Sequence, residues 1–163
     1  MKNPSDSDPK REFLRHGLAT LAYRGGKAIR NTPAAFGDFS PSDGVRTPGK
    51  ILAHIGDLLD WGLSIAAGKQ TWKDSETLSW EKESERFFEA LKRFDEYLES
   101  SEPLHATPEK LLQGPVADAL THVGQIAMLR RMAGGPVRGE NYFVASVTIG
   151  CVGSEQTPPK REF

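Results

Sequence analysis

Apolar residues recur three or four positions apart in four long stretches of the chain, which is the spacing of one face of an α-helix. The first stretch follows Asp8 and Pro9. An aspartate can cap a helix with its side chain, and a proline at the next position loses no hydrogen bond, so this pair predicts a helix start. The helix should run to about Ile29. Residues 31–44 hold two prolines and two glycines, which predicts a loop.

Two further stretches predict helices two and three. Helix two is expected to begin after Thr47 and Pro48 and to end near Gly68, and helix three covers the stretch from Trp80 to Leu98. The apolar faces of these two helices comprise Ile51, Leu52, Ile55, Leu58, Leu59 and Ile65 on the former and Trp80, Phe87, Leu91, Phe94 and Leu98 on the latter.

A fourth helix is expected to begin at Gly114 and Pro115, after a short helical turn at Thr107 and Pro108. The glycines and proline of residues 134–136 should end it. From about residue 137 onward, β-branched and aromatic residues lie between glycines, which predicts an extended tail packed over the helices, with a short strand as an option.

Four amphipathic helices with no alternating strand pattern between them predict an all-α four-helix bundle, formed as a single domain over residues 1–163. The connection between helices two and three, residues 69–79, is long. An extended chain covers about 3.3 Å per residue, and a 20-residue helix is about 30 Å long. This connection can therefore run the length of the bundle, and helices two and three can lie parallel.

The pentapeptide Pro-Lys-Arg-Glu-Phe occurs twice, at residues 9–13 and at residues 159–163. One copy at each end of the chain does not make a repeat architecture. No physical reason for the duplication follows from the sequence.

The composition is typical of a soluble globular protein, with 37% hydrophobic and 26% charged residues. Lysines and arginines number 21 against 22 acidic residues, so no basic surface for nucleic acid is expected. No stretch reaches the roughly 18 apolar residues of a membrane helix, and the N-terminus lacks the apolar core of a secretory signal. The single cysteine, Cys151, cannot form an internal disulfide, which favours a reducing compartment. We expect a cytoplasmic protein without a membrane segment.

Two of the four histidines lie within apolar helical stripes. His54 lies between Ile51 and Leu58 on helix two, so its imidazole should point toward the core. His122 lies on helix four, and Asp118 precedes it by four residues. Side chains at this spacing project in the same direction. If helices two and four are neighbours, His54 can reach the same point.

Two imidazoles and a carboxylate are nitrogen and oxygen ligands that suit Zn²⁺, Ni²⁺ or Fe²⁺ and leave coordination positions open for water or a substrate. Each residue also has an ordinary structural interpretation. A core histidine is more often a hydrogen-bonded packing residue than a ligand, and Asp118 in the first turn of helix four would complement the helix dipole. On spacing alone, the structural interpretation is favoured over the metal site.

Helix two contains the segment Leu52-Ala53-His54-Ile55-Gly56-Asp57. Helix four contains His122-Val123-Gly124-Gln125, followed by Leu129-Arg130 and a terminating Gly-Pro. Together these segments resemble the DinB-like (DinB/YfiT) family of bacterial metal-dependent four-helix bundles. The resemblance covers nearly the whole chain, although only the histidine positions and the Gly-Gln after the second histidine are at all specific.

In that family a divalent metal is held by a histidine on helix two and by an H-x-x-x-H pair on the last helix. The resemblance therefore implies His54 and His122 as ligands, with Asp118 at the position of the first histidine of the pair. An aspartate binds the same metals, but its negative charge makes the cation a weaker Lewis acid. The resemblance also implies an up-down-down-up bundle, which agrees with the long connection between helices two and three.

Characterised members of the family include thiol-dependent transferases and a maleylpyruvate isomerase. The resemblance thus implies a metal-dependent transferase or hydrolase acting on a small molecule, with Zn²⁺ or Ni²⁺ as the leading metals, Fe²⁺ as a further candidate and a low-molecular-weight thiol as a cofactor. The alternative is a metal-free small-molecule binding or interaction bundle with a vestigial site, in which Asp118 and His122 pair with each other. Helical bundles of this size often self-associate, which favours a homodimer.

Two polar residues are candidates for supporting the metal ligands. Asp57 lies three residues after His54, and Gln125 lies three residues after His122. Metal-bound histidines usually donate their second ring N–H to such a group, so each residue could orient one imidazole.

Other residues are candidates for the walls of a substrate pocket. Trp61 lies two turns after His54 on the same helical face, where it would form a side of the pocket. Arg138 and Tyr142, with Glu140 and Asn141 between them, follow helix four directly and could close the pocket mouth and bind an anionic substrate.

Overall fold

The computed structural model describes residues 8–163, and over this range the chain is all-helical. The main helices are α1 (Pro9–Ile29), α2 (Pro48–Ala66), α3 (Trp80–Glu99), α4 (Pro108–Leu111) and α5 (Ala117–Met132). Shorter helical turns cover Ala34–Asp38, Leu112–Val116 and Tyr142–Val144. None of the helices in the described range is both long and apolar enough to cross a membrane.

Three of the predicted helix starts coincide with side-chain caps. The Asp8 carboxylate accepts a hydrogen bond from the amide of Lys10 at 2.9 Å. The Thr47 hydroxyl caps α2 by accepting from the amide of Lys50 at 3.3 Å, and Ser79 caps α3 in the same way. These bonds satisfy amide groups that have no partner within the helix.

The short helical turn predicted at Thr107 and Pro108 forms as α4, but the fourth main helix does not start separately at Gly114 and Pro115. The helix begins at Pro108, where the Thr107 hydroxyl caps the amide of Lys110 at 3.3 Å. It continues through the π-helical turn Leu112–Val116 into α5. Proline has no N–H to donate and crowds the preceding turn of an α-helix, and the wider π-helical turn accommodates it without ending the helix.

Helix α2 packs against α3 and α5. Along α2 and α3, Asp57 bonds to Arg86 and Asp60 bonds to Arg93, so the two helices run in the same direction. Along α2 and α5 the order is reversed, since His54 packs on His122 whereas Gly62, later in α2, packs on Pro115, which precedes α5.

Helix α1 also packs against α3 and α5. Arg15 bonds to Asp95 while Gly25 packs on Phe87, so α1 and α3 run in opposite directions. Because α1 and α2 each lie between α3 and α5, the groove between α2 and α5 and the groove between α1 and α3 lie on opposite sides of one shared hydrophobic core.

The tail from residue 137 packs on the α1 side of the molecule. Val152 joins the hydrophobic core, and Glu140 and Glu162 both accept hydrogen bonds from Lys27 of α1. No strand forms within the described residues; a single antiparallel bridge joins Glu140 to Glu162. The second Pro-Lys-Arg-Glu-Phe copy thus ends in this bridge, whereas the first forms the start of α1.

Candidate metal centre

Three side chains from two helices meet in the groove between α2 and α5. His54 comes from α2, and Asp118 and His122 come from α5. Each offers one ligand atom, and these atoms all lie within 4.8 Å of one another. The two imidazole rings are perpendicular, with their centroids 4.7 Å apart. The group could therefore hold a metal ion.

The two nitrogens of His122 face two different oxygen acceptors. Nδ1 lies 2.8 Å from the side-chain oxygen Oε1 of Gln125. In the tautomer whose Nδ1 donates to this oxygen, Nε2 of the neutral imidazole holds a free lone pair. Nε2 lies 3.3 Å from Oδ1 of Asp118, which is also an acceptor. Two acceptors that face each other attract a cation, either a proton on the ring or a metal ion.

The spacing of the Asp118 and His122 atoms suits two ligands of one divalent transition metal, and the His54 nitrogen lies within 4.8 Å of both. Ligands bound at about 2.1 Å in a tetrahedron lie about 3.4 Å from each other, close to the 3.3 Å between Asp118 and His122. Three ligands leave a coordination position open, as catalytic rather than structural metal sites do. The contact between Gln125 and His122 Nδ1 would favour the tautomer that presents Nε2 to a metal, and the supporting role of Gln125 stays a prediction.

The site opens toward solvent on the α5 side. His54 is half-buried and 14% of the His122 side chain is exposed, whereas 49% of the Asp118 side chain is exposed. Burial is the main cause that lowers the pKa of His54; the neighbouring His122 and Arg46 lower it further, and they outweigh the opposite effect of Asp118 and Asp57. A lowered pKa keeps the imidazole neutral near pH 7, which is the form that binds metals.

Helix α2 and the π-helical turn approach each other closely at Gly62. A Cβ atom at Gly62 would lie 2.8 Å from the Phe94 ring and 3.0 Å from Pro115. Any larger residue at this position would push the helices apart. Gly62 therefore allows the close packing of α2 on the π-helical turn, about two helical turns along α2 from His54.

Trp72, in the connection between α2 and α3, covers His54. Its ring centroid lies 5.8 Å from the imidazole in an edge-to-face arrangement. Trp61, predicted as a pocket wall, packs edge-to-face on Trp72 at 5.8 Å. It lies in contact with the ring that covers His54. The sequence analysis missed Trp72 because it lies outside any periodic stretch.

Asp57 does not support His54, contrary to the prediction. Its carboxylate accepts hydrogen bonds from Arg86 at 2.6 Å and from the amide of Ser75 at 3.0 Å. Burial would raise the pKa of Asp57, but these bonds outweigh burial and lower it. The carboxylate joins α2 to α3 and to the connection between them.

The residues predicted to close the pocket mouth contact α1 and the tail instead. Tyr142 packs edge-to-face on Tyr23 of α1 with a centroid distance of 6.3 Å, and Arg24 lies over its ring. Arg138 lies 3.6 Å from Glu162 at the end of the tail. Glu140 is buried against Lys27, and Asn141 caps the short helical turn that begins at Tyr142. Since the tail turns back along α1 as soon as α5 ends, none of these contacts involves the histidines.

Comparisons of the chain with models of known protein families, with curated proteins and with solved structures found no match. The family resemblance therefore rests on the segments around His54 and His122.

Proposed function

We propose that the protein is a metal-dependent enzyme of the DinB-like type, with a divalent ion held by His54, Asp118 and His122. The observation that carries this proposal is the convergence of three ligand atoms within 4.8 Å of one another, with His122 Nε2 3.3 Å from Asp118 Oδ1 and Nδ1 2.8 Å from Gln125 Oε1. The proposal includes the up-down-down-up arrangement of the family, which is supported by α2 and α3 running in the same direction.

The side chains around the site have separate tasks in this proposal. Gln125 holds the proton of His122 on Nδ1, and Trp72 shields the His54 side from bulk water. Asp118 lies at the open side, where a substrate enters. A divalent cation bound there would supply a Lewis acid that lowers the pKa of a coordinated thiol or water. We propose Zn²⁺ or Ni²⁺ first, with Fe²⁺ as a further candidate and a low-molecular-weight thiol as the second reactant.

Elemental analysis of protein purified without an affinity tag tests the proposal. We expect about one divalent ion per chain, as one three-ligand site would hold. His54→Ala and His122→Ala should each abolish binding, whereas His16→Ala should not, because His16 is exposed on α1 away from the cluster. A metal-free preparation that cannot be reloaded with Zn²⁺ or Ni²⁺ would contradict the proposal.

Substitutions of Asp118 test whether the carboxylate is a ligand. Asp118→Ala should weaken zinc binding by more than the roughly 10–100-fold that loss of a supporting residue costs. Asp118→His should retain binding, since it supplies a third imidazole. Competition with a chelating dye measures both affinities. Equal affinities of wild type and Asp118→Ala would remove Asp118 from the ligand set.

A second candidate function is a metal-free small-molecule binding bundle. The 3.3 Å separation of Asp118 and His122 also suits an ion pair with a protonated imidazole, which supports this reading. It predicts that His122→Leu leaves the melting temperature unchanged or raises it in the presence of Zn²⁺. Under the metal proposal, Zn²⁺ should raise the melting temperature of the wild type and leave that of His122→Leu unchanged.

A further inference from the structure

An open groove with a volume of about 790 Å³ lies beside the metal centre, between α5 and the loop that precedes α2. We call it the α5 groove; its lining includes Val45, Arg46, Ile51, Gln125, Met128 and Met132. Its volume lies within the range of small-molecule sites. Gln125 belongs to both features, since it lines the groove and bonds to His122. Gln125 therefore connects the groove to His122, although none of His54, Asp118 and His122 lines the groove.

Most of the lining is apolar, although it faces solvent. Met128 is 54% exposed, Met132 is 56% exposed and Val45 is 41% exposed. Single exposed apolar residues are common, but here they line one concave surface. Methionine side chains are flexible and adapt to the shape of an apolar ligand.

The charge of the groove is unbalanced. Arg46 is the one charged residue in its lining, and no carboxylate lines it. Within residues 8–163, the ion pairs and side-chain hydrogen bonds do not include Arg46, which is exposed. An arginine without an acidic partner at the edge of an apolar surface suits a carboxylate that carries an apolar chain.

We propose that the α5 groove binds small carboxylates with an apolar tail, with the carboxylate at Arg46 and the tail across Met128 and Met132. The assignment of these carboxylates as substrates of the metal centre rests on the proposed function. Binding itself requires only the groove, so it can be measured without metal.

Calorimetric titration of octanoate into the metal-free full chain at pH 7 tests the proposal. We expect saturable binding of one octanoate per chain, more than about a hundredfold tighter than acetate, because the added methylene groups leave water. Arg46→Gln should weaken octanoate binding about tenfold or more, as loss of a charged hydrogen bond does. The uncharged analogue 1-octanol should bind wild type and Arg46→Gln equally.

Matched variants separate the groove from general effects. Arg131→Gln makes the same chemical change on an exposed α5 residue outside the groove lining and should leave octanoate binding unchanged. Met128→Gln with Met132→Gln should weaken octanoate without affecting the fold, because both side chains are exposed. Retention of full octanoate affinity in Arg46→Gln, or octanoate binding no tighter than acetate, would overturn the proposal.

The same variants distinguish the other outcomes. If sedimentation shows a dimer that the double methionine variant converts to a monomer, a second copy of the chain covers the groove and the proposal is wrong. Octanoate binding to protein that never takes up Zn²⁺ or Ni²⁺ would preserve the groove and overturn the metal centre. Metal uptake without octanoate binding would support the metal centre and overturn the groove proposal.

Discussion

The two sides of the molecule use charged residues in different ways. On the tail side, the Lys27 ammonium donates to Glu140 at 2.7 Å and to Glu162 at 2.9 Å, and the Tyr23 hydroxyl donates to Glu140 at 2.5 Å. Each donor meets an acceptor. On the side of the candidate metal centre, the Asp118 oxygen instead lies 3.3 Å from His122 Nε2, and no lysine or arginine pairs with it within the described residues.

The ionisation of the tail-side groups follows from this pairing. Burial would lower the pKa of Lys27, but the bonds to Glu140 and Glu162 outweigh it and raise the pKa. Burial and the bond to Glu140 also raise the pKa of Tyr23. A cluster in which every charged group has a partner of opposite charge stabilises the fold, whereas a carboxylate without such a partner can bind a cation. The two sides therefore differ in how their charged groups are paired rather than in how many charges they hold.

The largest expected effect comes from breaking the tail-side cluster, which consists of Tyr23, Lys27, Glu140 and Glu162. The Glu140 side chain is fully buried, so Glu140→Ala leaves Lys27 with Glu162 as its remaining carboxylate. We expect the free energy of unfolding to fall by about 3 kcal/mol, the lower end of the range for a broken buried pair. Urea denaturation followed by circular dichroism measures the loss.

Two comparisons control this prediction. Arg138→Ala removes an arginine that is 70% exposed beside Glu162, and it should change stability little. Folded Glu140→Ala should still bind zinc like the wild type, because the cluster lies on the other side of the core. A loss below about 1 kcal/mol would show that the tail-side cluster contributes no more than a surface pair.

Local sequence pattern sufficed for much of the fold. Asp8, Thr47 and the apolar periodicity marked the starts of α1 and α2, because caps and helical faces depend on neighbours along the chain. The juxtaposition of Asp118 and His122 on one face also follows from their four-residue spacing. The location of His54 opposite Asp118 and His122 could be predicted once α2 and α5 were taken as neighbours.

Contacts between distant elements were beyond the sequence pattern. Asp57 has the right spacing to reach His54, but Arg86 of α3 binds its carboxylate, and no local pattern reveals that competitor. Trp72 lies in an irregular connection, so its location over His54 depends on the path of that segment. Tyr142 turned toward α1 because Glu140 anchors the tail to Lys27.

We expect an intermediate effect from a substitution that disturbs the packing of α2 on the side of the candidate metal centre. Gly62→Ala places a Cβ against Phe94 and Pro115 and should lower the free energy of unfolding by about 1–3 kcal/mol. Because it also moves α2 away from the π-helical turn, zinc affinity should fall roughly tenfold. Urea denaturation and chelator competition measure the two effects.

Gly124→Ala is the matched control for this variant. Nothing lies within 4 Å of a Cβ at Gly124, so the alanine should stabilise α5 by up to about 1 kcal/mol through its helix propensity. Zinc affinity should not change. If Gly62→Ala retained full zinc affinity despite losing stability, the close approach of the helices would not set the geometry of the ligands.

The smallest expected effect is a difference in the pH ranges over which the tail-side stability and the zinc binding are lost. The hydrogen bond from Lys27 lowers the pKa of Glu162 below its ordinary value of 4.5. The contribution of Glu162 to stability is therefore present in full above about pH 4.5 and is lost as the pH falls through the lowered folded value. Glu162→Gln lacks this contribution at every pH, so its denaturation midpoint should lie below that of the wild type at pH 7 and converge with it in acid.

Glu155→Gln provides the control, because Glu155 is an exposed tail residue whose side chain makes no ion pair within the described residues. Its midpoint should follow the wild type at every pH. Zinc binding should already weaken between pH 7 and pH 5, where histidine ligands take up protons, while the Glu162 contribution is still intact. A loss of both over the same pH interval would mean that the tail and the metal centre are coupled, and the two sides could no longer be treated as independent.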